Sequence, residues 1–124
     1  MKTAKEIMTT EVVTIDGSAT VAAAMQKMKE KGVPALLVER RSEEDAYGIV
    51  TETDIVYQVT AYGQDPAQVA VHAIMTKPCI VVNPDLGVEY VARLFANTGV
   101  RSAPVIRDQL VGIVSVTDIL HKGL

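Results

Sequence analysis

The stretch Gly48-Ile49-Val50-Thr51-Glu52-Thr53-Asp54 returns 64 positions later as Gly112-Ile113-Val114-Ser115-Val116-Thr117-Asp118, and this repetition decides the fold. In both copies a glycine and two apolar residues typical of a strand precede a hydroxyl residue, a threonine and an aspartate. A hydroxyl residue three positions before an acid is the pattern of a helix start. The repetition therefore predicts two copies of one strand-to-helix unit.

Two more segments recur outside this stretch, each at an offset of 67 positions. Ile7-Met8-Thr9 returns as Ile74-Met75-Thr76, and Gly32-Val33 returns as Gly99-Val100. The difference between the two offsets places three extra residues in copy one, within the charged segment 39–45. Because length variation is tolerated in exposed loops, this segment is predicted to be a solvated hairpin loop.

Both copies predict the element order β-α-β-β-α. In copy one an apolar stripe at i, i+3, i+4 and i+7 marks the first helix, with Ser18 as the expected N-cap and Gly32 as the terminating glycine. The stripe consists of Val21, Ala24, Met25 and Met28. The other predicted elements are strands at 12–15, 35–39 and 46–51 and a helix at 52–62 that stops at Gly63.

Copy two follows the same order. Asp85 is the expected N-cap of its first helix and Gly99 the terminating glycine. The apolar stripe consists of Val88, Val91, Ala92 and Phe95. Strands are predicted at 80–82, 102–106 and 110–115, with a tight turn at 107–109.

The runs 35–38 and 110–114 are almost continuously apolar, which is typical of strands buried on both faces. Since one repeat cannot cover such a sheet by itself, we predict an α/β (α+β) fold of two repeats packed sheet to sheet with pseudo-two-fold symmetry. The predicted domains are a first repeat at 1–63 with an N-terminal segment at 1–6, a connector at 64–70 and a second repeat at 71–124.

Composition and charge exclude several classes of function. The 124-residue chain has a formal net charge of −3, scattered Lys and Arg, one Phe and no Trp, so no nucleic-acid partner is expected. No apolar run reaches the roughly 18 residues of a membrane span, and no signal peptide is recognised. The single Cys79 excludes an internal disulfide, which is consistent with a cytoplasmic location.

The ordered, duplicated motifs resemble a tandem pair of CBS (cystathionine β-synthase) domains, a Bateman module, over nearly the whole chain. The residues that carry the resemblance are 7–9, 33–35, 48–54, 74–76, 101–105 and 112–118. The resemblance implies that AMP, ADP, ATP or a related adenosyl ligand binds between the repeats, that no cofactor is required, and that the chain forms a homodimer. It also implies that occupancy is signalled to an unidentified partner protein.

The resemblance implies two nucleotide sites, each with a carboxylate for the ribose diol, hydroxyl donors at a helix start for phosphate, and an apolar slot for the base. The favoured site comprises Val12, Val13, Val33, Arg101, Ser102, Ser115, Thr117 and Asp118. The second site comprises Pro34, Thr51, Thr53, Asp54, Cys79, Ile80 and Val100. The Asp118 site is favoured for a phosphorylated ligand because Arg101 supplies a charge where copy one has Pro34.

The same residues also fit simpler interpretations. The segments that end at Asp54 and Asp118 also fit capping boxes, and capping and ligand contact are compatible. His72 and His121 lack companions at a zinc-like spacing, so no metal site is expected. No catalytic motif is recognised, so the chain is not expected to be an enzyme. The alternative function is a structural dimerisation scaffold whose ligand site has lapsed.

Overall fold

The computed structural model describes residues 2–124; Met1, the first residue of the predicted first repeat, lies outside the described residues. The chain divides into two compact units. The split unit contains residues 2–12 together with Ile80–Leu124, and the continuous unit contains Val13–Cys79. Each unit combines a small sheet with helices, so the predicted α/β class is confirmed.

The continuous unit contains a three-stranded sheet in the order β1-β2-β3. β1 (Thr14–Ile15) runs parallel to β2 (Ala35–Val38), which pairs antiparallel with β3 (Gly48–Thr51). The predicted strand at 12–15 is thus shorter than expected. β2 is buried at every position, as its continuous apolar run predicted. The α-helices of the continuous unit are α2 (Val21–Lys31) and α3 (Glu52–Gln58).

The N-cap of α2 is Thr20 rather than the predicted Ser18. The Thr20 hydroxyl accepts the backbone N–H of Ala23 at 3.1 Å, whereas the Ser18 N–H and hydroxyl both donate to Asp16 at 2.8 Å. These two hydrogen bonds, the backbone one first, lower the pKa of Asp16. Ser18 therefore stabilises the turn that precedes the helix, and its side chain is not available as a cap.

The apolar stripe of α2 is only partly buried. Val21, Ala24 and Met28 belong to the core of the continuous unit, as predicted, but Met25 is 43% exposed. The helix ends at Gly32, whose φ of 64° is the left-handed conformation that favours glycine.

The second helix of copy one is shorter than the predicted 52–62. α3 ends at Gln58, and a 3₁₀ turn at Thr60–Tyr62 leads to Gly63, which has a φ of 64°. The expected glycine thus ends the helical segment, but its last turn is tightened to 3₁₀ geometry, which is common at helix ends.

The split unit contains one antiparallel hairpin, β4 (Ser102–Arg107) and β5 (Gln109–Ser115). Asp108 forms the tight turn with a φ of 58°. The helices are α1 (Ala4–Ile7), α4 (Val88–Thr98) and α5 (Val116–Lys122). The prediction of a strand at 80–82 is wrong, because only an isolated bridge from Val82 to Val105 is present there.

Two further expectations for copy two differ from the structure. The N-cap position of α4 is Gly87, and Asp85 instead forms an ion pair with Arg107, so its carboxylate is not available for capping. β5 is not buried on both faces, since Val111 is 39% exposed. Gly99, with a φ of 79°, ends α4 as predicted.

Each unit pairs a strand of one sequence repeat with the Ile-Met-Thr segment of the other. In the split unit Thr9 exchanges two backbone hydrogen bonds with Ile113, of 2.8 and 2.9 Å. In the continuous unit Thr76 does the same with Ile49, with two bonds of 2.9 Å. The two segments that recur in the sequence therefore meet in space, but always across the repeats.

Candidate functional site

The candidate site residues lie at two strand-to-helix junctions, one in each unit. In the continuous unit Thr51 caps α3: its hydroxyl accepts the Asp54 N–H at 3.1 Å, and Asp54 Oδ2 accepts the Thr51 N–H at 2.9 Å. This is the reciprocal capping box that the sequence pattern predicts.

The split unit has the same capping box at the start of α5. Asp118 Oδ2 accepts the Ser115 N–H at 3.0 Å and the Ser115 hydroxyl at 3.1 Å, while the Ser115 oxygen accepts the Asp118 N–H at 3.1 Å. The capping interpretation is therefore confirmed at both junctions. The box holds each carboxylate in a fixed orientation beside its hydroxyl.

The second carboxylate oxygen distinguishes the two junctions. Asp118 Oδ1 accepts the Thr9 hydroxyl at 3.3 Å and the Lys122 ammonium at 3.1 Å, and Asp118 is only 7% exposed. Asp54 is half-buried, and within residues 2–124 its carboxylate accepts only the hydrogen bond of the capping box. Asp54 therefore presents an open acceptor, and Asp118 an occupied one.

The residues four positions after the two acids account for the cation at Asp118 and its absence at Asp54. Lys122 reaches back one helical turn to Asp118, whereas its counterpart Gln58 donates to the Ile74 carbonyl at 3.2 Å. On a helix, residues at i and i+4 are neighbours, so a cation at this position pairs with the acid and a neutral amide is free to turn elsewhere.

The backbone amides at both helix starts are largely satisfied inside the protein. The Val116 N–H donates to the Arg101 carbonyl at 2.9 Å, and the Glu52 N–H donates to the Pro34 carbonyl at 3.0 Å. The amides of Asp54 and Asp118 belong to the capping boxes. Few free amides are therefore left at these helix starts, and the contact of helix amides with phosphate stays a prediction.

The two hydrogen bonds to Arg101 and Pro34 show that these residues occupy equivalent positions. The next residue, Ser102, pairs with Ser115 across the hairpin and is 6% exposed. Arg101 is exposed beside the start of α5, and Thr117 is exposed in its first turn. The split unit thus brings together Arg101, Ser102, Ser115, Thr117 and Asp118.

The continuous unit brings together Pro34, Thr51, Thr53 and Asp54, of which Pro34 and Thr53 are exposed. Pro34 supplies neither a charge nor an N–H. It also lines, with Val33, an open groove of about 650 Å³ between α2 and α3.

The apolar residues predicted for the base slots are divided between the units. Val12, Ile80 and Val100 belong to the split unit, and Val13, Val33 and Cys79 belong to the continuous unit. Val33 and Val13 pack on the core of the continuous unit, and Ile80 and Val100 pack on that of the split unit. Their predicted role beside a base stays a prediction.

Cys79 has the environment of a packing residue. Its N–H donates to the Tyr47 carbonyl at 3.0 Å, and burial raises the pKa of its thiol, which lowers the fraction of reactive thiolate. Within residues 2–124, no group of three or more His, Cys, Asp or Glu residues is arranged to hold a metal ion. None of the helices in that range is long and apolar enough to cross a membrane.

Sequence reasoning missed Thr9 and Lys122. The i, i+4 spacing of Asp118 and Lys122 is a signal that could have identified the lysine. Thr9 lies 109 positions from Asp118, and only the folded chain brings the two side chains together.

The CBS domain profile matches this chain twice, at residues 4–60 and 71–124. The chain therefore belongs to the CBS domain family and contains a pair of these domains, as the internal repetition and the resemblance predicted. CBS domain pairs are commonly regulatory and ligand-binding.

Three known proteins illustrate the similarity. The solved structure of a hexameric CBS-CP12 protein from bloom-forming cyanobacteria is 63% identical, with a TM-score of 0.96, over 99% of this chain and 72% of its own. The CBS domain-containing protein YhcV of Bacillus subtilis is 32% identical over 96% of this chain and 84% of its own length. An uncharacterized protein of Methanopyrus kandleri is 32% identical over 94% of this chain, which spans 60% of that relative's length.

Proposed function

We propose that this chain is a regulatory module that binds an adenine nucleotide (AMP, ADP, ATP or a related adenosyl ligand) and signals occupancy to a partner protein. The observation that carries the proposal is the pair of capping boxes that hold Asp54 and Asp118 beside hydroxyl groups, in a family that commonly binds ligands. A carboxylate accepts two hydroxyl hydrogens, so a fixed aspartate suits a ribose 2′,3′-diol.

The junction in the split unit is the proposed site for a phosphorylated ligand. Arg101 is an exposed cation next to the start of α5, and a guanidinium forms strong bidentate hydrogen bonds to phosphate. Thr117 adds an exposed hydroxyl in the first turn of the helix. This combination of acid, hydroxyl and cation matches the ribose and phosphate of a nucleotide.

The junction in the continuous unit is the proposed second site. Thr51 and Asp54 have the same arrangement there, but Pro34 stands where the split unit has Arg101. Without that charge, we propose that this site prefers an adenosyl ligand with little or no phosphate. The apolar residues Val12, Val13, Val33, Cys79, Ile80 and Val100 are proposed to surround the bases.

We further propose that the chain is not an enzyme, requires no cofactor, and acts as a homodimer. Oligomerisation is supported by the hexameric state of the cyanobacterial relative. A regulatory role requires that the ligand favours one arrangement of the protein or of its partner over another, because equal affinity for both would transmit no signal.

Isothermal calorimetry with AMP, ADP, ATP and adenosine tests the proposal. We expect Asp118→Asn to weaken AMP binding by more than about tenfold, because an amide lacks the charge that a diol prefers. Asp54→Asn is the matched control, since it makes the same change at the other junction and leaves Arg101 in place. Thermal unfolding of both variants verifies that each capping box still supports a folded protein.

The alternative function is a dimerisation scaffold with a lapsed site. The observation that favours it is that the Asp118 carboxylate already has four donors from the protein. Absence of binding to every adenosyl ligand, with an intact dimer, would support the scaffold. Hydrolysis of ATP at ordinary enzymatic rates would contradict both functions.

A further inference from the structure

The carboxylate of Asp118 has as many donors as it can accept. A carboxylate offers about four lone-pair sites, and Asp118 receives the Ser115 N–H, the Ser115 hydroxyl, the Thr9 hydroxyl and the Lys122 ammonium at 3.0 to 3.3 Å. A ribose diol therefore binds this carboxylate only if a donor leaves.

Three of these donors are attached to backbone that is held in place. Both groups of Ser115 belong to the capping box on Oδ2. The backbone of Thr9 is held by its two hydrogen bonds to Ile113, of 2.8 and 2.9 Å. A hydroxyl can rotate its hydrogen away, but the backbone that carries each of these three groups stays beside the carboxylate unless the helix start or the backbone pairing changes.

Lys122 is the donor that is free to move. Its side chain is 50% exposed, and only its ammonium, at the end of a flexible four-carbon stem, contacts Oδ1. Asp118 is buried, but the Lys122 side chain lies at the surface, so its ammonium is the donor most easily exchanged for water or a ligand.

The other junction lacks this cation. Gln58 stands at the position of Lys122 and donates to the Ile74 carbonyl, and Oδ1 of Asp54 accepts no hydrogen bond from the described residues. The chain thus contains one junction with a competing cation and one without it, on the same local framework.

Resting on the proposed function, we propose that Lys122 is an internal competitor at Asp118 that determines which ligands bind there. The ammonium occupies the oxygen that a diol requires, so it lowers affinity for a neutral nucleoside. Once displaced, the ammonium remains tethered beside the site as a mobile cation. Its attraction to an anionic ligand then offsets the lost contact with Asp118, whereas a neutral ligand provides no such attraction. Lys122 therefore makes the Asp118 site select nucleotides over nucleosides.

Lys122→Gln places a glutamine four positions after Asp118, as Gln58 stands four positions after Asp54. The change is made in an Asp54→Asn background, so that Asp118 is the only one of the two acids left. We expect adenosine to bind about three- to fivefold more tightly, and the affinity for AMP to rise less or to fall. The ratio of AMP to adenosine affinity should therefore fall. Lys5→Gln removes an exposed charge from α1 in the same unit and should leave the ratio unchanged.

The reciprocal variant is Gln58→Lys in an Asp118→Asn background, in which adenosine should bind about three- to fivefold more weakly because a lysine now competes at Asp54. Both measurements use calorimetry on variants whose thermal unfolding is unchanged within a few degrees. Adenosine and AMP binding that Lys122→Gln leaves unaltered would overturn the role of Lys122 and leave the proposed function intact. Absence of binding in the wild type and in every variant would overturn both.

Discussion

The two strand-to-helix junctions have nearly the same sequence and the same capping box, yet their acids differ in burial and in the number of hydrogen bonds they accept. Asp118 is 7% exposed and receives four hydrogen bonds, whereas Asp54 is half-buried with one oxygen open. The extra donors to Asp118 are Thr9 and Lys122. Lys122 has the neutral Gln58 as its counterpart, whereas Thr9 has the equivalent Thr76, whose hydroxyl makes no hydrogen bond to Asp54 within residues 2–124. A shared motif thus fixes the orientation of the carboxylate, and its neighbours decide what the carboxylate is free to bind.

The glycines that begin the two stretches show a second difference. A methyl group on Gly112 would lie 2.5 Å from the Met8 sulfur and 2.9 Å from the Thr9 carbonyl oxygen. On Gly48 it would lie 3.0 Å from the Met75 sulfur and 3.3 Å from the backbone of Thr76. Both glycines permit the close approach of the Ile-Met-Thr segment, and the approach is closer in the split unit.

The largest effect is expected from Gly112→Ala, compared with Gly48→Ala. The new methyl group at 112 meets a backbone oxygen that cannot rotate away, so we expect a loss of about 2–3 kcal/mol of unfolding free energy, against about 1 kcal/mol at 48. Urea denaturation measures both values. Equal losses would show that the two segments approach their strands equally closely.

The two capping boxes should differ next. Ser115→Ala removes a hydroxyl that both donates to and accepts from a buried acid, so we expect it to cost about 1.5–2 kcal/mol. Thr51→Ala removes a hydroxyl that only accepts, beside a half-buried acid, and should cost about 1 kcal/mol. Urea denaturation of both variants measures the two losses. A larger loss for Thr51→Ala than for Ser115→Ala would contradict the prediction.

The next effect is on ligand affinity, because the split unit has Arg101 where the continuous unit has Pro34. We expect Arg101→Ala to weaken AMP about tenfold and adenosine by no more than about twofold, because the guanidinium is proposed to contact phosphate alone. Arg93→Ala, which removes an exposed arginine paired with Glu89 on α4, is the control. Calorimetric losses of equal size for AMP and adenosine would exclude a phosphate contact by Arg101.

The smallest effect on stability is expected in the hairpin loop of copy one, between β2 and β3. This loop is longer than the tight turn at Asp108 that joins β4 and β5. The Lys77 ammonium donates to Asp45 at 2.8 Å, and this hydrogen bond, followed by that of the Arg41 N–H, lowers the pKa of Asp45. A carboxyl with a lowered pKa in the folded state stabilises the protein above about pH 4, and this stabilisation is lost as the pH falls further.

Lys77→Met should therefore lower the urea midpoint slightly at pH 7, with the difference from wild type shrinking as the pH is lowered from 4 towards 2. The midpoint at each pH is the measurement. A difference that does not change with pH would mean that Lys77 contributes through packing of its stem and not through its charge.

Much of the fold follows from local sequence rules. Gly32, Gly63 and Gly99 end helical segments in the left-handed conformation, as their positions predicted. The predictions of N-caps at Ser18 and Asp85 were wrong because Ser18 hydrogen-bonds to Asp16 and Asp85 forms an ion pair with Arg107. Competition of this kind depends on rotamers and neighbours that a linear pattern does not contain.

The sequence by itself determined that there are two copies, that each has a strand leading into a capped helix, and that an acid stands at the third helical position. The number of copies follows from the repetition, and the capped helix start follows from contacts within four residues, which sequence spacing encodes directly. Only the tertiary structure decided that each Ile-Met-Thr segment pairs with the strand of the other repeat and that Thr9 reaches Asp118. Such contacts join residues as many as 109 positions apart through packing of whole elements, and no local spacing specifies them.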